Sequence, residues 1–183
     1  MYFESPGAQN TEQTLKIALQ TCQERGIKHL VVASTTGATA KKALELVKKS
    51  EVRLVVVTHN YGFSEEGKCE FDDRLRAEIE QAGYKVLSGM MLTRNLGKAI
   101  AKKFGYSESE LVAGVLRLFG EGVKVCVEMA GMCADAGLIP FDDCIFVAGT
   151  GRGADTACII RATSSNNFFN LRVREILCKP RNF

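Results

Sequence analysis

HLVVASTTGATAKKALELVKKSEVRLVVVT, residues 29–58, holds two apolar runs separated by a helical pattern. His29-Leu30-Val31-Val32-Ala33 reads as a buried strand, and Arg53-Leu54-Val55-Val56-Val57-Thr58 is the strongest β-branched run in the chain. Between them Ser34-Thr35-Thr36-Gly37 makes a turn. Ala40, Ala43, Leu44 and Val47 then recur at the spacing of one helical face. Strand, helix and strand at this spacing imply a parallel β-α-β unit with a right-handed crossover.

The same alternation continues on both sides. Upstream, Leu15, Ala18, Leu19 and Cys22 form a helical stripe that ends at Gly26. Asn10 is placed to cap that helix, with Gln13 as its capping-box partner. Downstream, residues 72–82 read as a helix and Tyr84 to Ser88 as a strand. From Leu96 to Gly137 the pattern is helical, with breaks at Gly105-Tyr106-Ser107 and Gly120-Glu121-Gly122. Ser107 or Ser109 is a cap for the middle segment, and Val123, Val127, Ala130 and Ala134 share a face of the last. Cys144 to Val147, Thr156 to Arg161 and a stretch near Leu171 to Cys178 are further strands. The expected fold is a three-layer α/β arrangement: a mainly parallel sheet flanked by helices, with an antiparallel edge near the C-terminus. No repeat or boundary divides residues 1–183, which read as one domain.

Composition narrows the function classes. Charged residues are 25% and hydrophobic residues 46% of 183, with a net charge of only +3. No basic block is long enough to make nucleic acid the main partner. No apolar run is long enough to span a membrane, and no signal peptide is present. Seven cysteines without a C-x-x-C pair, and two histidines, give no metal site. The expectation is a reduced, cytoplasmic protein; self-association is left open.

Three loops follow strands, where open α/β sheets bind ligands. Ser34, Thr35, Thr36, Gly37, Ala38 and Thr39 form a hydroxyl-rich loop that opens a helix. Its free N–H groups suit an anion, or the loop is an ordinary helix cap. Thr58, His59, Asn60, Tyr61 and Phe63 combine hydrogen-bonding groups with aromatic rings. Gly149, Thr150, Gly151, Arg152 and Gly153 form a glycine-rich loop that is either an anion cradle or a flexible connection, with Asp155 able to cap the turn. Its spacing, G-x-G-x-G, is not the dinucleotide fingerprint, and no G-K-[S/T] follows. A helix-terminal anion contact contributes roughly 0.3–2 kcal/mol. Two of them reach only millimolar affinity at about 4 kcal/mol. A stacked flat ring adds on the order of 1–3 kcal/mol. A phosphate joined to a flat or apolar group therefore suits these loops better than phosphate alone.

Other groups read as structural. Glu128 and Asp135 are seven apart on one helix, and Asp142-Asp143 sit in a turn after Pro140. Met90-Met91, Met129 and Met132 read as core fillers. Cys69, in a charged loop, is the best thiol candidate, but no base stands beside it in sequence. No catalytic residue is identified.

Taken in order, Ala33-Ser34-Thr35-Thr36-Gly37-Ala38-Thr39-Ala40, Val57-Thr58-His59-Asn60, residues 122–128, residues 134–140 and Ala148-Gly149-Thr150-Gly151-Arg152-Gly153-Ala154-Asp155-Thr156-Ala157 form a pattern. It resembles the stand-alone family, largely archaeal and bacterial, related to the C-terminal α/β domain of pyruvate kinase. The resemblance implies that Ser34, Thr35, Thr36, Gly37 and Thr39 face a phosphate. It also implies that kinase activity is absent, since the catalytic barrel is not in these 183 residues. That family is similar to flavin mononucleotide (FMN) binders, so FMN is the leading cofactor expectation. A regulatory module sensing a sugar phosphate, a flavin-dependent oxidoreductase of unknown substrate and a protein-interaction module are the alternatives.

Overall fold

The computed structural model describes residues 1–183. Seven strands form one sheet: β1 (Tyr2–Phe3), β2 (His29–Ala33), β3 (Arg53–Thr58), β4 (Lys85–Ser88), β5 (Asp143–Ala148), β6 (Thr156–Arg161) and β7 (Arg172–Pro180). Six helices join them: α1 (Thr11–Arg25), α2 (Ala38–Val47), α3 (Asp73–Gln81), α4 (Asn95–Phe104), α5 (Glu108–Arg117) and α6 (Glu121–Asp135). The strand order is β1-β7-β6-β5-β2-β3-β4. β5, β2, β3 and β4 run parallel, β6 is antiparallel to both β5 and β7, and β1 is parallel to β7. This is the expected mainly parallel α/β sheet with antiparallel pairing toward the C-terminus.

The strand residues alternate between two cores, as the two-residue period of a strand requires. Leu30, Val32, Leu54, Val56, Ile145 and Val147 pack with α1, α2 and Ile79 of α3. Val31, Val55, Val57, Phe146, Cys158 and Ile160 pack with α6. Central strands buried on both faces explain the unbroken apolar runs. Six of the cysteines are among the buried residues. Burial pushes the Cys22, Cys133 and Cys144 thiols up to about 12 and that of Cys178 to about 11, so they stay protonated and pack as small apolar groups.

Local expectations hold unevenly. Gly26 ends α1 in the left-handed conformation, as read. The side-chain cap at Asn10 is not made. A 3-10 turn over Ala8–Asn10 runs directly into α1 and gives Thr11 N–H a backbone acceptor in Ala8, and the Asn10 amide donates to Ser5 O instead. Ser107 takes the extended N-cap conformation of α5, but its hydroxyl meets that of Ser109 at 2.9 Å. Met90 is 59% exposed rather than core, because it lies in the connection beyond β4. Three short features went unread: β1, and the 3-10 segments over Ala8–Asn10 and Ser165–Asn170.

The glycine loop after β5 closes on an internal carboxylate. Asp155 is fully buried. Its Oδ2 accepts the Thr150 N–H at 3.0 Å and the Gly7 N–H at 3.1 Å, and its Oδ1 accepts the Thr156 hydroxyl at 2.8 Å. Gly153 has φ +73°, and a Cβ there would strike the Ala8 backbone and the Thr11 hydroxyl. The Thr11 hydroxyl in turn accepts the Ala154 N–H at 3.0 Å. The loop is therefore clamped to the start of α1. Asp155→Ala strands the buried Thr156 hydroxyl and the half-buried Gly7 and Thr150 amides, at roughly 1–3 kcal/mol for each group left fully unsatisfied. Its melting temperature should fall by about 5–10 °C, measured by thermal denaturation. Gly153→Val should lose a similar amount through backbone strain and the collision with Ala8, while Arg152→Ala, with an exposed side chain, should leave stability unchanged.

Candidate functional site

β2-β3-β4 build outward on one side of β2, and β5-β6-β7 on the other. The order of the sheet thus reverses between β2 and β5, and ligand crevices form beyond the carboxyl ends of strands at such a reversal. The loops after Ala33 and Ala148 leave these two neighbouring strands at the same end, since Val32 pairs with Val147 in parallel register. The Ser34 N–H extends the ladder by donating to Val57 O at 2.9 Å. The Ser34 hydroxyl accepts the Ala40 N–H at 3.2 Å and so braces the first turn of α2. Gly37 and Thr39 are buried in that turn, while Thr36 and Ala38 are exposed.

A cavity of about 150 Å³ opens on the other side of these tips, against α6. Ser34, Thr35, Thr58 and His59 contribute from the strand ends. Arg94, Arg117 and Lys124 contribute from the helical region, with Met91, Met129 and Met132 as apolar wall. The Thr58 hydroxyl donates to His59 O at 2.8 Å and meets the Ser88 hydroxyl at 2.6 Å, and Ser88 also accepts from Arg76 at 2.7 Å. His59 stacks on Phe63 with centroids 3.6 Å apart, and the Arg94 guanidinium lies 4.2 Å from the same ring. Burial holds His59 below the ordinary imidazole range; nearby Glu70 opposes this and Arg94 adds to it. Its Nδ1 is buried without a hydrogen-bond partner.

The α6 wall carries a buried ion pair. The Lys124 ammonium donates to Glu128 Oε2 at 2.5 Å, with the two side chains 4% and 1% exposed. Glu128 Oε1 accepts the Thr93 N–H at 3.0 Å and its hydroxyl at 2.7 Å. Every oxygen of Glu128 is thus engaged, as a buried carboxylate requires. Through Thr93 it also fixes the residue next to Arg94. Arg117 is paired with Glu121 at 3.0 Å, whereas Arg94 has no carboxylate partner.

Of the residues expected from sequence, Ser34, Thr35, Thr58 and His59 come together at the cavity. Phe63 supports it from behind the His59 ring. Asn60 is tied to Asn95 and to Tyr61 O, and Tyr61 points to solvent, 59% exposed. Gly149, Thr150, Gly151, Arg152 and Gly153 do not line the cavity; their loop is held by Asp155 on the α1 side. Arg94, Lys124 and Glu128 were missed as cavity groups. The available signal was a lysine and a glutamate four apart in the otherwise apolar run from Val123 to Ala134. Of the remaining acidic candidates, Asp135 accepts from Ser165 N at 2.8 Å, and Asp143 pairs with Arg174 at 3.3 Å. Cys69 is half-buried against the α1–α3 core.

A wider groove, about 560 Å³, lies at the opposite end of the sheet between the starts of β2 and β5. It is open, and its charged side chains pair across it, Arg25 with Glu175 and Arg174 with Asp143. The smaller cavity, with an unpaired cation and hydroxyls at strand ends, is the better candidate. No group of three or more His, Cys, Asp or Glu side chains is arranged to hold a metal, and no helix is long and apolar enough to cross a membrane.

The chain is similar to two solved structures. A pyruvate kinase from Cryptosporidium parvum is 14% identical, with a TM-score of 0.42 over 84% of this chain. Cryptosporidium parvum pyruvate kinase in complex with ADP is 13% identical, with a TM-score of 0.44 over 88%. This chain spans 23% and 25% of those two chains. The family described as pyruvate kinase, alpha/beta domain, matches residues 12–160, from the first turn of α1 to the end of β6, and the chain belongs to that family.

Proposed function

We propose that this protein binds a phosphorylated small molecule, with the phosphoryl group seated in the cavity between the β2 and β3 tips and α6. The observation that carries the reading is Arg94: a guanidinium at the cavity with no carboxylate of its own, beside the hydroxyls of Ser34 and Thr35. Among the side chains that line the cavity, three cations (Arg94, Arg117, Lys124) stand against two carboxylates (Glu121, Glu128), with the Glu70 carboxylate near His59 outside the lining. Arginine presents a planar fork of donors that suits a phosphoryl group. Lys124 spends one of its three N–H donors on Glu128, so it can serve the ligand as well. The reading leaves out the glycine loop 149–153, which does not line the cavity and whose Thr150 amide is committed to Asp155.

FMN is the first ligand to test, on the strength of the family resemblance. Its flat ring would lie outside the cavity, which is too small to enclose it. The size of the cavity favours a second reading. About 150 Å³ is below the roughly 300–1,000 Å³ of sites that enclose a drug-sized ligand, and it suits a compact sugar phosphate. Both readings are of binding alone.

Titration of FMN, riboflavin, sugar phosphates and inorganic phosphate, followed by flavin fluorescence and thermal shift, separates them. Stabilisation by FMN but not riboflavin supports the flavin reading, and stabilisation by sugar phosphates alone supports the second. No response to any phosphate ester would overturn both. Arg94→Ala should weaken the responding ligand about 10- to 100-fold, from the roughly 1.5–3 kcal/mol of a charged hydrogen bond. The ion pair has its own test. Lys124→Met leaves Glu128 buried and unpaired, which costs roughly 3–5 kcal/mol. Adding Glu128→Gln, which still accepts from Thr93, should recover most of that loss in urea denaturation.

A further inference from the structure

α4 and α5 form a hairpin that turns apolar faces to solvent. α4 buries only Gly97, where a Cβ would collide with the Ser109 hydroxyl, and α5 buries only Ala113. Leu96, Ile100 and Phe104 recur every fourth residue along α4 and are 64%, 38% and 71% exposed. Leu111 and Val115 follow the outer side of α5 at 59% and 51%, and Leu118, just past its end, is 75% exposed. Met90, Tyr106 and Phe119 flank them. Nine of the sixteen large exposed apolar side chains therefore lie between residues 90 and 119. At roughly 150–250 Å² for each ring, Phe104, Tyr106 and Phe119 bare on the order of 400 Å². The six aliphatic side chains bring the patch to about the 800 Å² that each partner gives a standard interface, above the roughly 300–600 Å² usual on a monomer.

We infer that this hairpin is an interface between two copies of the chain. Its charges are self-complementary. α4 carries no acid, and at helical spacing Lys103 borders its Leu96–Ile100–Phe104 stripe, whereas Lys98 and Lys102 lie on another face; Glu108, in the first turn of α5, borders Leu111 and Val115. Neither Lys103 nor Glu108 makes a salt bridge within the chain. A two-fold axis that lays α4 of one copy antiparallel along α5 of the other covers both apolar stripes and brings Lys103 of each copy to Glu108 of the other. An anionic membrane would attract the basic helix, but the glutamates of α5 would be repelled from it.

The test is sedimentation equilibrium of the full chain from about 1 to about 100 µM. A dimer is expected at the upper concentrations. Leu111→Glu/Leu118→Glu, at exposed positions, should weaken it at least tenfold while far-UV circular dichroism stays unchanged. Lys103→Glu alone or Glu108→Lys alone should also weaken it, and the two together should restore it. A wild-type monomer at the highest concentration overturns the inference. So does a dimer indifferent to the Leu111 and Leu118 changes, or a monomer that sediments with anionic vesicles. A combination no better than its parents also overturns the lysine–glutamate pairing.

Discussion

Leu30 beside Ile145, Val31 beside Phe146 and Val32 beside Val147 form the seam that joins the two halves of the sheet. On one side lie three parallel strands built by short crossovers. On the other lie the strands that close the chain, with β6 reversed. Because β5 returns to the far side of β2, its long connection has to cross the opposite face from α2 and α3, as right-handed crossovers require. That crossing puts α6 over the β2 and β3 tips, and it brings Lys124 and Glu128 within reach of residues some seventy to ninety positions earlier. The cavity is a by-product of how the two halves meet.

Two buried carboxylates secure this arrangement in similar ways. Asp155 gathers amides from Thr150 and from Gly7, and so fastens the N-terminal segment to the end of β5. Glu128 gathers Thr93 and Lys124, and so fastens the β4–α4 connection to α6. A carboxylate removed from water is tolerable only when its oxygens are occupied, and both are. The difference lies in what is left over. Asp155 satisfies its surroundings and presents nothing to a ligand, whereas Glu128 sets Thr93 in place and leaves the neighbouring Arg94 side chain unclaimed.

The strands and helices were legible because their apolar spacing is strong: the runs at 29–33, 53–58 and 156–161 match the strand limits. Spacing also revealed the breaks that separate α4, α5 and α6. What it could not carry was long-range pairing. Glycines at 149, 151 and 153 are equally compatible with an external phosphate and with an aspartate from the same loop, since both need exposed amides and tight turns. Asp155 was legible as a turn cap, but its hold on Gly7, 148 residues away, was not. Likewise Ser34 and Thr58 could be read at strand ends, while Arg94 looked like any surface arginine. Its place at the cavity depends on Phe63 and Thr93 being held nearby, which is a property of the packed helices and not of local sequence.

Arg94 immediately precedes α4 and Arg117 is the last residue of α5, and both guanidinium groups border the same cavity. The hairpin therefore stands on two feet at one doorway. Both charges are thus carried by the ends of one helical hairpin, so their separation across the cavity is set by how α4 packs on α5 and not by the sheet.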